Sequence, residues 1–402
     1  MPALPDGDIP PADGLLPPAA AAGAKSRDFG VYVHVPFCAS RCGYCDFNTY
    51  TARELGPGVS QASYAGHAGA EIDWAGAVLR RSSVPDRQVS TVFFGGGTPT
   101  LLPAADLVAV LDRIRRQWGL APGAEVTTEA NPDSVSAASL RELADGGFTR
   151  VSFGMQSVRA HVLATLERTH DPARIADAVA WAKQAGLSCN LDLIYGTPGE
   201  SEDDWRASLC AAVDLEPDHI SGYALGVEPG TKLAHQVLSG TVAPTDPDDH
   251  ASKYEIAEFV LSAAGYRWYE ISNWSKPGQQ CRHNIGYWQG HDWWGIGPGA
   301  HSHVGGTRWW NVKHPRQYAQ RVAGGLSPAA GREILTSQEL CLEQIMLGIR
   351  LAGGLDTSCL PDPRIADEVQ ADGLADVRGD RLVLSLRGRL LADQVVGRLL
   401  GW

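Results

Sequence analysis

From residue 28 onward, short apolar runs rich in β-branched residues alternate with longer stretches whose apolar positions recur at helical spacing. Residues 31–35, 89–94, 125–129, 149–153, 187–194 and 219–224 predict strands, and 64–81, 103–118, 137–145, 172–185 and 202–215 predict helices. Strand-then-helix units in series imply a parallel sheet with right-handed crossovers. The expected fold class is α/β, a partial (β/α)6 TIM-like barrel over residues 28–230, with its site where strands end and loops begin.

Beyond residue 224 the alternation fades. Residues 268–310 hold seven of the twelve tryptophans together with His283, His291, His301 and His303, and 231–330 is expected to be a Trp/His-rich extension of the barrel. From about 335, a helix to 350, another near 364–371, a two-stranded wing at 377–378 and 381–384, and a final helix from 388 predict a smaller C-terminal helical, winged-helix-like domain over 331–402. Its acidic surroundings favour a packing or interaction role over DNA reading. Residues 1–27, mostly Ala, Pro, Gly and Asp with no basic segment ahead of an apolar one, are expected to form a disordered tail.

Charge and cysteine content narrow the function. With 34 Lys and Arg against 46 Asp and Glu, the formal charge is −12, which disfavours nucleic acid as the main partner because a phosphate backbone rewards clustered cations. No run approaches the roughly 18 apolar residues of a membrane-spanning helix, and the expected location is cytoplasmic. Eight cysteines in 402 residues are too few for a disulfide framework, yet Cys38, Cys42 and Cys45 fall within eight positions.

Three thiols at x3 and x2 spacing on one loop suit a [4Fe-4S] cubane whose fourth iron is left without a protein ligand. Zinc competes, but a structural zinc closes with four N or S ligands and the fourth would have to be His34 or a distant residue; plain buried or redox cysteines are the other alternative. More chemistry gathers at the same predicted sheet edge: Gly95-Gly96-Gly97-Thr98-Pro99 after the second strand, Glu129 at the end of the third, Gln156 after the fourth and Asp192 on the fifth. A glycine turn with no following Lys is not a P-loop. Its bare backbone can approach a small zwitterion closely, although it fits a plain strand-to-helix turn as well. Glu129 and Asp192 suit an ammonium or ribose hydroxyls and Arg168 a carboxylate, while Tyr44 suits an adenine face; each residue singly is an ordinary strand-end group, and their joint placement is the signal.

Together Tyr32-Val-His-Val-Pro-Phe-Cys38, Gly95-Gly-Gly-Thr-Pro99, Thr128-Glu129-Ala-Asn-Pro132, Ser152-Phe-Gly-Met-Gln156-Ser157, Leu191-Asp192-Leu-Ile-Tyr-Gly196 and Gly297-Pro-Gly-Ala300-His301-Ser302 resemble the radical S-adenosylmethionine (SAM) proteins related to oxygen-independent coproporphyrinogen III oxidase, over about residues 28–400. The resemblance implies one [4Fe-4S] cluster on Cys38, Cys42 and Cys45. It also implies SAM held by Tyr32, Gly96, Gly97, Thr98, Glu129, Gln156, Arg168 and Asp192, with Ala224 and His301 completing the set.

Two departures separate the relatives. Phe47 stands where the oxidase carries a fourth cysteine, and His283-Asn284-Ile-Gly-Tyr287-Trp288 is similar to the HNxxYW element of a heme-chaperone branch. That branch implies heme as cargo, heme-requiring acceptor proteins such as respiratory enzymes as partners, and transient contact with a membrane surface. Heme is a flat apolar ring whose iron accepts an imidazole, so His283 is the candidate heme residue, against the plainer reading of a packed domain seam. The alternatives in view are the oxidase itself, in which cleaved SAM yields a radical that leads to decarboxylation of coproporphyrinogen, and a radical enzyme on another substrate.

Overall fold

The computed structural model describes residues 6–55, 60–168 and 171–402. Six strands, β1 (Phe29–Val35), β2 (Val89–Gly96), β3 (Leu120–Ala130), β4 (Arg150–Gln156), β5 (Ser188–Tyr195) and β6 (His219–Ala224), pair in chain order and all in parallel. Helices Gln61–Arg81, Ala104–Trp118, Ala137–Asp145, Arg174–Gln184 and Glu202–Asp214 cross between them. Ser136 and Ser201 start two of these helices by accepting amide hydrogens of the first turn. Strand alternation then sorts the side chains, so that Val31, Val33 and Val35 are buried in the core while Tyr32 faces the concave side.

Residues 231–330 extend this arc at both edges. On one side β7 (Arg267–Glu270) and β8 (Asn273–Ser275) form a hairpin that adds to β6 through β8; on the other β9 (Asp292–Ile296) lies parallel to β1, and β10 (His301–Val304), β11 (Thr307–Asn311) and β12 (Ala329–Ile334) follow it antiparallel. The tryptophans of this stretch go largely into packing. Trp274, Trp294, Trp309 and Trp310 are buried, with Trp294 edge-on to both Trp74 and Trp309.

The expected disordered tail is corrected for residues 6–27, which lie strapped across the β12 edge. Asp8 pairs with Arg332, Gly7 and Gly14 sit against the rings of Trp310 and Trp74, and Ala20 and Ala24 are buried. Small residues that look like low complexity in the sequence are there because nothing larger fits under those rings.

The C-terminal module packs helices Ser337–Gly348, Arg364–Ala371 and Ala392–Leu400 with a three-stranded sheet around its own core of Ile345, Leu355, Val369, Leu382 and Val395. Its third strand, Leu355–Asp356, is too short to signal in the sequence. Arg389 pins the module to the barrel: its guanidinium stands 4.4 Å from the Trp268 ring centroid and donates to Glu258 at 2.7 Å. Among the described residues no helix is long and apolar enough to cross a membrane.

Candidate functional site

All six parallel strands open onto one cavity of about 760 Å³. At the carboxyl ends of the strands its wall is the loop after β1. That loop is fixed by its own backbone, Cys38 N donating to Tyr50 O at 3.1 Å and Tyr50 N to Pro36 O at 2.7 Å, and by His34 Nε2, 2.9 Å from Asn48 O. Cys38, Cys42 and Cys45 line the cavity and are free thiols. Burial first, then Cys45 and Cys42, push the Cys38 thiol up to about 11, and burial likewise raises Cys45. Thiols so placed become thiolates by exchanging protons for a metal. Tetrahedral zinc needs four N, S or O ligands on one centre, whereas a cubane can leave one iron open with three thiolates on the others, so the three thiols of this loop suit the cluster.

The glycine turn follows β2. A Cβ on Gly96, at φ +106°, would come within 2.4 Å of the His34 ring, and one on Gly97 within 2.5 Å of the Phe37 carbonyl oxygen. Packing alone demands glycine at both positions, and the cavity face they leave bare adjoins Thr98, whose hydroxyl reaches Cys38.

Charge completes the upper chamber. Glu129, ending β3, accepts from Gly96 N at 3.1 Å; burial, then the neighbouring Asp192, lifts its carboxyl to about 8. Asp192 is also raised by burial, although Ser152 donates to it at 2.5 Å and Asn190 at 2.9 Å. Glu129, held largely protonated beside an Asp192 whose pKa burial also raises, is a ready site for a cation, whose arrival favours the ionised acids. Arg168 donates to Gly154 O at 3.0 Å and reaches Cys42 Sγ at 3.5 Å, and its Nε is buried without a partner, a cation in place for a carboxylate. Gln156 takes φ +62°, rare for a residue with a side chain, where β4 enters its loop. Tyr32, Tyr44 and Ala224 line the same chamber.

Two expected residues stand apart. His301 begins β10 outside this cavity, its ring 5.9 Å from that of Trp310. Its motif acts as a buttress instead, since buried Glu71 accepts from Gly297 N at 2.7 Å, Asn311 Nδ2 at 2.8 Å and Tyr318 Oη at 2.6 Å. His283 lies at the opposite end, in the short helix Arg282–Trp288 that closes the cavity floor. Its Nδ1 is 2.8 Å from Thr91 Oγ1 and its Nε2 2.8 Å from Tyr287 Oη; the ring stacks 5.4 Å from Phe93, and burial lowers its pKa to about 3. Neutral and engaged at both nitrogens, it presents none to an iron in this arrangement.

The floor also holds residues that sequence reasoning missed, Arg150, Asn190, His219 and Tyr269, beside Asn284 of the HNxxYW element. Their only sequence signal is a polar side chain at an inward position of a strand.

An arc of six parallel strands around three loop cysteines defines the class, and residues 32–209 match the profile of the radical SAM superfamily. Coproporphyrinogen III oxidase (HemN) from Escherichia coli, described as a radical SAM enzyme, superposes with a TM-score of 0.80 at 23% identity, over 95% of this chain and 92% of that one; at that identity the likeness concerns the fold. The relative named heme chaperone HemW from Mycobacterium tuberculosis is 53% identical over 93% of this chain and 95% of its own length, and the one from Bacillus subtilis 31% identical over 92% and 98%. The chain belongs to the HemW family of radical SAM proteins.

Proposed function

We propose that the chain is a heme chaperone that carries a [4Fe-4S] cluster on Cys38, Cys42 and Cys45, binds SAM in the adjoining chamber, and transfers heme to heme-requiring acceptor proteins. The observation that carries the cofactor part is the convergence of three thiols, two buried acids and a buried arginine on one cavity. When bound, the cluster supplies an electron and an open iron for the methionine end of SAM. Arg168 suits the carboxylate of that methionine, Glu129 and Asp192 its cationic or hydroxyl groups, and Tyr44 the adenine. The heme part is supported by the names of the relatives and by the HNxxYW element. His283 as it stands is committed to Thr91 and Tyr287, so it serves heme only after releasing one of them. Operation in the cytoplasm, with transient contact at a membrane surface where acceptors such as respiratory enzymes reside, belongs to the same proposal.

The oxidase is the second reading, and the shared fold speaks for it. Phe47, 56% exposed at the cavity wall, speaks against it, because an aromatic replaces the extra thiol of the oxidase pattern. Anaerobically reconstituted protein should bind heme stoichiometrically by absorbance and yield no protoporphyrinogen from coproporphyrinogen plus SAM. Turnover without heme binding would reverse the assignment. The same heme titration with His283→Ala should show weakened affinity at unchanged iron content, and unchanged affinity removes that residue from the heme site.

Glu129 makes SAM binding proton-linked. Its folded pKa of about 8 keeps it mostly protonated at pH 7, so a cation settling beside it expels a proton, and affinity rises as pH climbs towards 8. Calorimetry at pH 7 in buffers of different ionisation heat should register that release. Glu129→Gln should remove the release and weaken binding about ten- to a hundred-fold, the scale of one charge-assisted hydrogen bond of roughly 1.5–3 kcal/mol.

A further inference from the structure

Below Asp192 a row of polar side chains crosses the cavity floor from the Arg282–Trp288 helix to β5. Asn284 Nδ2 lies 3.3 Å from Tyr269 Oη, which is 2.8 Å from His219 Nε2. His219 Nδ1 is hydrogen-bonded to Asn190 Oδ1, and Asn190 Nδ2 donates to Asp192 Oδ1 at 2.9 Å. The direction of every bond follows from its end. A carboxylate accepts only, so Asn190 must turn its amide nitrogen to Asp192, where it also meets the hydroxyls of Ser152 and Ser221; its oxygen then faces His219. That oxygen requires a hydrogen on His219 Nδ1. In a neutral imidazole Nε2 is then an acceptor, which takes the Tyr269 hydroxyl hydrogen, and the tyrosine oxygen accepts from Asn284.

We propose that Asn284, Tyr269, His219 and Asn190 form a one-way chain of donors ending on Asp192, which makes His219 and Tyr269 positioning residues for the SAM site and couples the HNxxYW helix to it. Aligned hydrogen bonds polarise one another, so the chain favours the ionised form of Asp192 at a distance. Other groups acting on Asp192 are Glu129 from β3, Arg150 and Ser152 from β4, and Ser221 and Tyr223 from β6. His219 is held neutral by burial and by the Arg150 charge. Arg150 is itself engaged with Glu125 at 3.6 Å and with Gln279 O at 2.6 Å, and Tyr269→Phe leaves both contacts in place.

The inference rests on the proposed SAM site, and the test separates the two. Tyr269→Phe keeps the ring and removes only the hydroxyl that links Asn284 to His219 Nε2. In anaerobically reconstituted protein, equilibrium SAM binding is measured from pH 6 to 9 for wild type, Tyr269→Phe, Asp192→Asn and the double variant. The expected result is a three- to ten-fold loss in Tyr269→Phe that is largest at the acid end of the range, and no further loss when Tyr269→Phe is added to Asp192→Asn. In parallel, 15N NMR of labelled histidine should place the His219 proton on Nδ1 in wild type, as the Asn190 oxygen requires. If wild type binds SAM and Tyr269→Phe binds equally well, or if its loss is independent of pH and additive with Asp192→Asn, the chain does not position the site. If wild type takes up no SAM, the reading of the cavity falls, and this inference with it.

Discussion

Cys42→Ser is expected to abolish the iron–sulfur centre outright. A serine hydroxyl stays protonated at neutral pH and is a hard oxygen donor, whereas cluster irons select thiolates. The variant reconstituted under anaerobic conditions should lack the broad absorption at about 400 nm that thiolate-ligated clusters show. SAM affinity should fall with it, because the open iron is gone and Arg168 loses its sulfur neighbour. The fold should survive, since the cysteine loop is held by the Cys38–Tyr50 and Tyr50–Pro36 backbone bonds and the barrel core lies elsewhere. Circular dichroism and the unfolding midpoint check that survival. A cluster retained at wild-type iron content would mean that the loop cysteines are not its ligands.

Glu125→Ala should produce the largest loss of stability. Its carboxylate, on β3, accepts from Arg282 N and His283 N, both at 3.1 Å, and pairs with Arg150 at 3.6 Å, with both side chains at least nine-tenths buried. Truncation leaves a buried guanidinium without its anion and frees the start of the floor helix. Breaking one partner out of a buried pair costs about 3–5 kcal/mol, so urea unfolding should show a loss of that order with the slope unchanged. The effect should reach function as well: the floor helix carries His283 and Asn284, and heme and SAM affinities should both weaken while iron content holds. Double substitution with Arg150→Met should recover part of the stability, since it removes the stranded charge.

Much of the fold was legible because its signals are local. Parallel strands buried on both faces read as runs rich in β-branched residues, as at 31–35 and 89–94, and the crossing helices show their period over ten or more residues. The added strands were not legible: β8 has three residues and β10 four, and the tryptophans of β8, β9 and β11 fit a ligand platform and a core equally well in sequence. The strap at 6–27 was missed because glycines that fit under Trp310 and Trp74 look the same as residues that pack against nothing.

The upper chamber was legible because its residues come in short runs at strand ends, so that Gly96 to Thr98, Glu129 and Gln156 are placed by topology alone. The floor was not, because His219, Tyr269 and Asn284 acquire meaning only from one another across separate elements. His283 shows the limit most plainly. The residue stands out in sequence, yet its state is decided by Thr91, Phe93 and Tyr287, two of which lie about 190 positions away. The family resemblance implies a ligand contact for His301, while here Glu71, an acid inside an ordinary-looking helix, holds the turn at Gly297.

The central claim is that Cys38, Cys42 and Cys45 hold an iron–sulfur cube with one corner open. It is tested most directly by metal and acid-labile sulfide analysis of protein purified without oxygen, alongside Cys42→Ser. The account predicts about four irons and four sulfides per chain in the wild type and neither in the variant. Zinc in place of iron and sulfide, or iron unchanged by the substitution, would contradict it.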